Sequence, residues 1–266
     1  MSEFYKVHQG TTPLLLSIPH AGTTVPEALL DRLSEPARTL PDTDWHVPIL
    51  YDFAQDLGLS VVQATHSRYV IDLNRPPDGA SLYPGQATTG LCPETLFDGT
   101  PLYKTDTPLS DDEIDERRGH YWEPYHAKLA EELARIRDAY GYALLYDAHS
   151  IASRVPRLFE GRLPVLNLGT ARGISCAPRL ESTIAAILRR SGFSHAVNGR
   201  FVGGYITRHY GNPAGGIHAI QMEIAQDSYM DEIEGYPYNE AKAATLKPVL
   251  RKVLTTLLDW GVSNRE

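Results

Sequence analysis

Short apolar runs, separated by polar and by proline- and glycine-rich stretches, recur along the chain. Leu14-Leu15-Leu16-Ser17-Ile18 is nearly continuous and ends at Pro19, as a buried strand does on leaving a sheet. Between Val47 and Leu57, the apolar residues Val47, Leu50, Tyr51, Ala54 and Leu57 repeat at helical spacing, and Gly58 stops the helix. Leu59 to Ala64 and Tyr69 to Leu73 read as strands. Residues 76–109 are rich in Pro, Gly, Thr and Asp and have little periodicity. A loop of that length inside a compact domain is usually functional. Ser110 and Glu113 form a capping box for a long helix from Asp111 to Tyr140, which Gly141 ends. Strands are predicted at 142–146, 165–168 and 217–224, and helices at 179–190 and 238–260.

Strands alternating with helices of these lengths define an α/β protein. The expected architecture is a single domain over 1–266, with a mostly parallel or mixed central sheet and helices on both faces. No internal repeat, linker or charge block divides it. A formal charge of −8 argues against a broadly basic nucleic-acid surface. Cys92 and Cys176 are too few for a disulfide framework and are not spaced as a zinc knuckle. The opening MSEFYKVHQG lacks the basic start and apolar stretch of a signal peptide. No apolar run approaches the ~18 to 20 residues that span a bilayer. The expectation is a cytoplasmic protein acting on a small molecule, without nucleic-acid or membrane partners.

In open α/β sheets, ligands bind beyond the carboxyl ends of strands. Pro19-His20-Ala21-Gly22, Asp147-Ala148-His149-Ser150 and Glu223 all fall at or just inside such ends. A lone histidine there is more often structural than ligating, but two histidines with acids nearby strengthen a metal reading. Catalytic zinc takes three His, Asp or Glu ligands and leaves a fourth position open. His20 and His149 supply two. The third comes from Asp42-Thr43-Asp44-Trp45-His46, where Asp44 is favoured over Asp42 and His46. An acid in this turn can instead cap the helix near Val47. Asp147 is either a carboxylate that orients a ligand histidine or an ordinary strand-end acid.

The segment from Ser67 to Pro76 presents Arg68 at one end and Asn74-Arg75 at the other. Arg75 suits bidentate binding of a carboxylate, and Arg68 suits a developing oxyanion. Residues 198–211 are dense in glycine and cations, with Arg208 as a further anion-binding candidate, but they match no dinucleotide or P-loop pattern. Gly173-Ile174-Ser175-Cys176 does not have the form of a nucleophile elbow.

Eight segments occur together in collinear order. They are SIPHAG (17–22), LPDTDWH (40–46), SRYVIDLNRP (67–76), HYWEPYH (120–126), DAHSI (147–151), NLGTARGISC (167–176), NGRFVGGYITRHYG (198–211) and HAIQMEIAQDSYM (218–230). Together they resemble the N-formylglutamate amidohydrolase (deformylase) family. That family is similar to the zinc carboxypeptidases and to the aspartoacylase and succinylglutamate desuccinylase group. The resemblance implies a phosphorylase/hydrolase-like α/β fold and one divalent metal, Zn²⁺, as cofactor. It implies metal binding by His20 and His149, with Glu223 as general base. It also implies a substrate-carboxylate site at Asn74 and Arg75 and oxyanion support from Arg68. In the wider group the acidic ligand follows the first histidine by three residues, but here that position is Thr23, which is why Asp44 is the expected ligand.

The implied reaction is hydrolysis of N-formyl-L-glutamate to formate and L-glutamate, within histidine degradation. Arg208 is the candidate for the second substrate carboxylate. The residues alone point only to a small anionic N-acyl amino acid. Two rivals are a thiol amidase built on Cys176 and a non-catalytic module that binds acidic metabolites through Arg68, Arg75 and Arg208.

Overall fold

A computed structural model describes residues 4–82, 85, 87–105 and 108–263. Its core is one seven-stranded mixed sheet. The strands are β1 (Tyr5–His8), β2 (Leu14–Ile18), β3 (Ser60–Ala64), β4 (Ala143–Ile151), β5 (Leu166–Gly169), β6 (His195–Val197) and β7 (Ile217–Ala225), in spatial order β1-β3-β2-β4-β7-β5-β6. β3, β2, β4 and β7 are mutually parallel, whereas β1 runs antiparallel to β3 and β5 antiparallel to β7. The mixed-sheet α/β expectation holds. β1 and β6, which the apolar pattern did not predict, are short half-buried edge strands with too few apolar residues to show a period.

β2 and β4 are buried along their whole length, so both of their faces must be covered. One face packs Leu14, Leu16, Leu144, Tyr146, Ile220 and Met222 against three helices. In chain order after the short α1 (Glu27–Leu30), these are α2 (Val47–Leu50), α5 (Pro178–Arg190) and α7 (Glu240–Ser263). The other packs Leu15, Ala143, Leu145 and Ala219 against α4 (Glu123–Tyr140) and Ile206 of α6 (Tyr205–Tyr210). Because side chains alternate with period two, that second face continues as Ser17 on β2, Asp147 and His149 on β4, and Gln221 and Glu223 on β7. The face is apolar at the strands' amino ends and polar at their carboxyl ends. Five buried polar side chains there require partners, since each left unpaired costs about 1–3 kcal/mol.

The long helix begins at Ser110, whose hydroxyl accepts from Glu113 N. It runs through α3 (Asp111–Arg117) and α4, joined by one wide π turn over Arg118–Trp122. Pro124 has no N–H to bond back into that turn, which favours the altered hydrogen-bond register. Gly141, at φ 79°, closes the helix.

Two expectations need correcting. Tyr69 to Leu73 is not a strand. Val70 N bonds back to Ser67 O and Asp72 N reaches Leu91 O, so the segment winds through turns while its apolar side chains fill the core. The helix expected from Val47 to Leu57 is shorter, with α2 followed by one 3₁₀ turn at Asp52–Ala54. It breaks at Tyr51, where φ is −105° and the hydroxyl is 2.8 Å from that of Tyr146 in the core. Among the described residues, no helix is long and apolar enough to cross a membrane. Of the irregular 76–109 stretch, residues 83, 84, 86, 106 and 107 lie outside the description.

Candidate active site

His20 stands two residues beyond β2, while His149 and Glu223 are register partners on neighbouring strands β4 and β7. The rings of His20 and His149 are 4.9 Å apart. Each histidine leans with Nε2 on a fully buried carboxylate. His20 Nε2 is 2.9 Å from Asp72 Oδ1, and His149 Nε2 is 2.8 Å from Asp147 Oδ2. A carboxylate partner fixes the tautomer with hydrogen on Nε2 and turns the Nδ1 lone pair outward. Both Nδ1 atoms converge on Asp44, with His149 Nδ1 at 3.2 Å and His20 Nδ1 at 4.0 Å from Oδ2.

The turn bearing Asp44 is bracketed by two left-handed residues, Leu40 (φ 52°) and His46 (φ 61°), and Asp44 N donates to His20 O. His20, Asp44 and His149 are all buried, and their ligand atoms lie within 4.8 Å of one another. The other acid and the histidine of this turn point elsewhere. Asp42 accepts from Phe97 N, and His46 Nε2 meets Tyr236 O at 2.7 Å.

The donor set suits a divalent cation. His20 Nδ1 and Asp44 Oδ1 are buried with no hydrogen-bond partner among the described residues, an arrangement proteins rarely tolerate without a ligand. Burial and the Arg68 charge lower the His20 pKa, which keeps the ring in its neutral, ligating form. Burial acts to lower the His149 pKa as well, but the carboxylates of Asp147 and Asp44 hold it well above its ordinary value. The site therefore favours positive charge between these groups. Two imidazoles and one carboxylate match the three-ligand pattern of catalytic zinc sites.

Around this triad stands a cleft of about 560 Å³, part of it open to solvent, lined by His20, Arg68, Asn74, Arg75, His149 and Glu223 among others. Burial pushes the Glu223 pKa up to about 8, with the nearby His149 opposing the shift. Its Oε2 accepts from Gln221 Nε2 at 3.1 Å, and Gln221 Oε1 in turn accepts from Gly204 N at 2.7 Å. Arg68 donates to Asp72 Oδ2 at 2.6 Å and lies over the Phe97 ring at 4.5 Å. Asp72 also accepts from Asn74 N. Burial works to raise the Asp72 pKa, but Arg75, His20 and Arg68 hold it well below the carboxylate range.

Asn74 lines the cleft with its amide engaged by the protein: Nδ2 is 3.2 Å from Asp147 Oδ2, and Oδ1 accepts from Ile206 N at 2.8 Å. Arg75 reaches the cleft wall braced by Thr89 O and Thr88 Oγ1, each at 3.0 Å. Arg208 is not among the described residues lining the cleft. Its guanidinium instead donates to Gly203 O and Leu82 O. Cys176 sits in the core at 1% exposure, where burial pushes its thiol up to about 12, and it does not line the cleft. Its burial disfavours a thiolate.

Sequence reasoning missed four participants. Asp72 was hidden by the strand reading of 69–73, although an acid four residues after Arg68 was a signal. Gln221 shares the face of Glu223 by period two and was passed over. His126 donates from Nε2 to Leu73 O at 2.9 Å, beside Asn74, and burial lowers its pKa to about 3. Arg200 lines the cleft from the glycine-rich segment where Arg208 drew attention.

A mixed sheet in an α/β fold, with two carboxylate-braced histidines and an acid at its carboxyl edge, fits a hydrolase and could hold a metal ion. The sequence profile of the N-formylglutamate amidohydrolase family matches residues 12–230, and this chain belongs to that family. It is 53% identical to N-formylglutamate deformylase of Pseudomonas putida over 262 residues, covering 98% of each chain. It is 51% identical to the N-formylglutamate deformylase of Pseudomonas aeruginosa, again covering 98% of each. The crystal structure of N-formylglutamate amidohydrolase from Ralstonia eutropha JMP134 superposes with a TM-score of 0.83. The two are 25% identical, covering 97% of this chain and 98% of that one.

Proposed function

We propose that this chain hydrolyses N-formyl-L-glutamate to formate and L-glutamate, with one divalent metal, Zn²⁺, held by His20, Asp44 and His149. The observation that carries the reading is the convergence of the two histidine Nδ1 atoms on the Asp44 carboxylate beside a buried glutamate, with His20 Nδ1 and Asp44 Oδ1 lacking a hydrogen-bond partner among the described residues. The substrate rests on the two deformylases that match end to end at 53% and 51% identity. When bound, the ion supplies Lewis acidity, polarising the formyl carbonyl and lowering the pKa of a coordinated water from about 15.7 to about 7. Imidazole and carboxylate ligands also suit cobalt, iron or manganese, so the choice of zinc is part of the proposal.

The chain's own groups divide the remaining work. Glu223 takes a proton from the attacking water and passes it to the departing amine. Arg68, fixed by Asp72, places its guanidinium where the tetrahedral carbon develops negative oxygen. Arg75 anchors a carboxylate, and holding the substrate this way removes part of the entropic barrier. Asn74, its amide engaged with Asp147, holds the His149 brace as well as lining the cleft. The test is release of formate and glutamate from N-formyl-L-glutamate by the purified protein. Equimolar products are expected. Tight binding without product would leave only the acidic-metabolite binding module.

A further inference from the structure

Arg200 lines the cleft from the segment after β6. Its Nε donates to Leu158 O at 2.7 Å and its Nη2 to Ala87 O at 3.2 Å. These main-chain carbonyls orient the planar fork. Arg75 grips the next two residues of the same segment through Thr88 Oγ1 and Thr89 O. Two guanidinium groups therefore approach residues 87–89 from different elements, and both line one cleft. Phe97, Ile151, Leu158 and Phe201 line the same cleft, apolar surface suited to methylene groups rather than to a polar chain.

The two cations are not equivalent with respect to the reaction centre. Arg75 Nη1 is 3.9 Å from Asp72 Oδ2, and the other oxygen of Asp72 carries His20. One carboxylate thus separates Arg75 from the metal-ligand group. Arg200 is anchored on Leu158, Ala87 and the Phe201 ring. In an N-formyl dicarboxylic amino acid, the α-carboxylate lies nearer the scissile amide than the side-chain carboxylate does. We propose that Arg75 takes the α-carboxylate and that Arg200 binds the side-chain carboxylate. Arg200 is then the residue that selects N-formyl amino acids with an acidic side chain. This assignment rests on the deformylase reading above.

The test compares kcat/KM for N-formylglutamate and N-formylglutamine, a near-isostere lacking the charge, in wild type, Arg200→Met and Arg200→Lys. Wild type is expected to favour N-formylglutamate. Arg200→Met is expected to reduce that preference by about 10- to 100-fold, mainly through KM, the range for losing a charge-assisted pair. Arg200→Lys, which keeps the charge without the fork, is expected to recover part of it. Equal losses on both substrates in Arg200→Met, or an unaltered preference, would overturn the assignment. So would a wild type that uses both substrates equally well, a measurement that needs no variant to fold. Release of formate from neither substrate by wild type would overturn the deformylase reading itself, and the role of Arg200 with it.

Discussion

His20 and His149 are held by the same device from different parts of the chain. A buried carboxylate takes Nε2, and the second oxygen of that carboxylate is tied down in turn. Asp72 uses it for Arg68, and Asp147 uses its other oxygen for Ser17 Oγ at 2.9 Å. The bracing predicts that Asp147→Asn keeps the fold yet weakens metal affinity by about 10- to 100-fold, measurable by competition with a chelating dye. An unchanged affinity would show that His149 needs no such partner. Glu223 is different, because it is buried beside the triad without being part of it. Glu223→Gln is expected to retain the metal while kcat falls by about 10²- to 10⁴-fold, the usual contribution of a general acid–base group. Turnover close to wild type would remove Glu223 from that role.

At the scale of elements, β2, β4 and β7 each spend their amino halves on core and their carboxyl halves on chemistry. The first turn of α6 closes the site from the side, and it does so through a close approach at Gly204. A Cβ there would stand 2.5 Å from Asn74 Cγ, although the backbone itself (φ −82°) suits any residue. Gly204→Ala should therefore displace Asn74 and the Asp147–His149 brace behind it. Overpacking of this kind costs about 1–3 kcal/mol in chemical denaturation. A fall in activity larger than the fall in stability is expected, and a variant indistinguishable from wild type would contradict this packing. The buried strands were legible because unbroken apolar runs such as Leu14–Ile18 have few other fates. Asp44 was legible as the polar centre of a turn before a helix. The segment 69–73 was misread because its apolar residues reach the core from turns, where neither period applies. Asp72 and Arg200 escaped for a related reason: Asp72 meets His20 from 52 positions away and Arg200 meets Ala87 from 113 positions away.

Across the whole molecule, the carboxyl edge of one sheet and the turn bearing Asp44 bring His20, Asp44 and His149 together with Glu223 beside them, and segments at 68–75 and 200 help line the cleft. The family match spans 12–230, and the last helix, α7, lies wholly beyond it, covering the face of the sheet opposite the site. The proposed metal-dependent deformylase activity makes this assembly directly testable. The most direct measurement determines metal content and formate release from N-formyl-L-glutamate on the same sample, before chelation, after it, and after restoring the ion. About one divalent ion per chain is expected, with activity lost on its removal and regained on its return. Formate release that persists undiminished in metal-free protein would contradict the account.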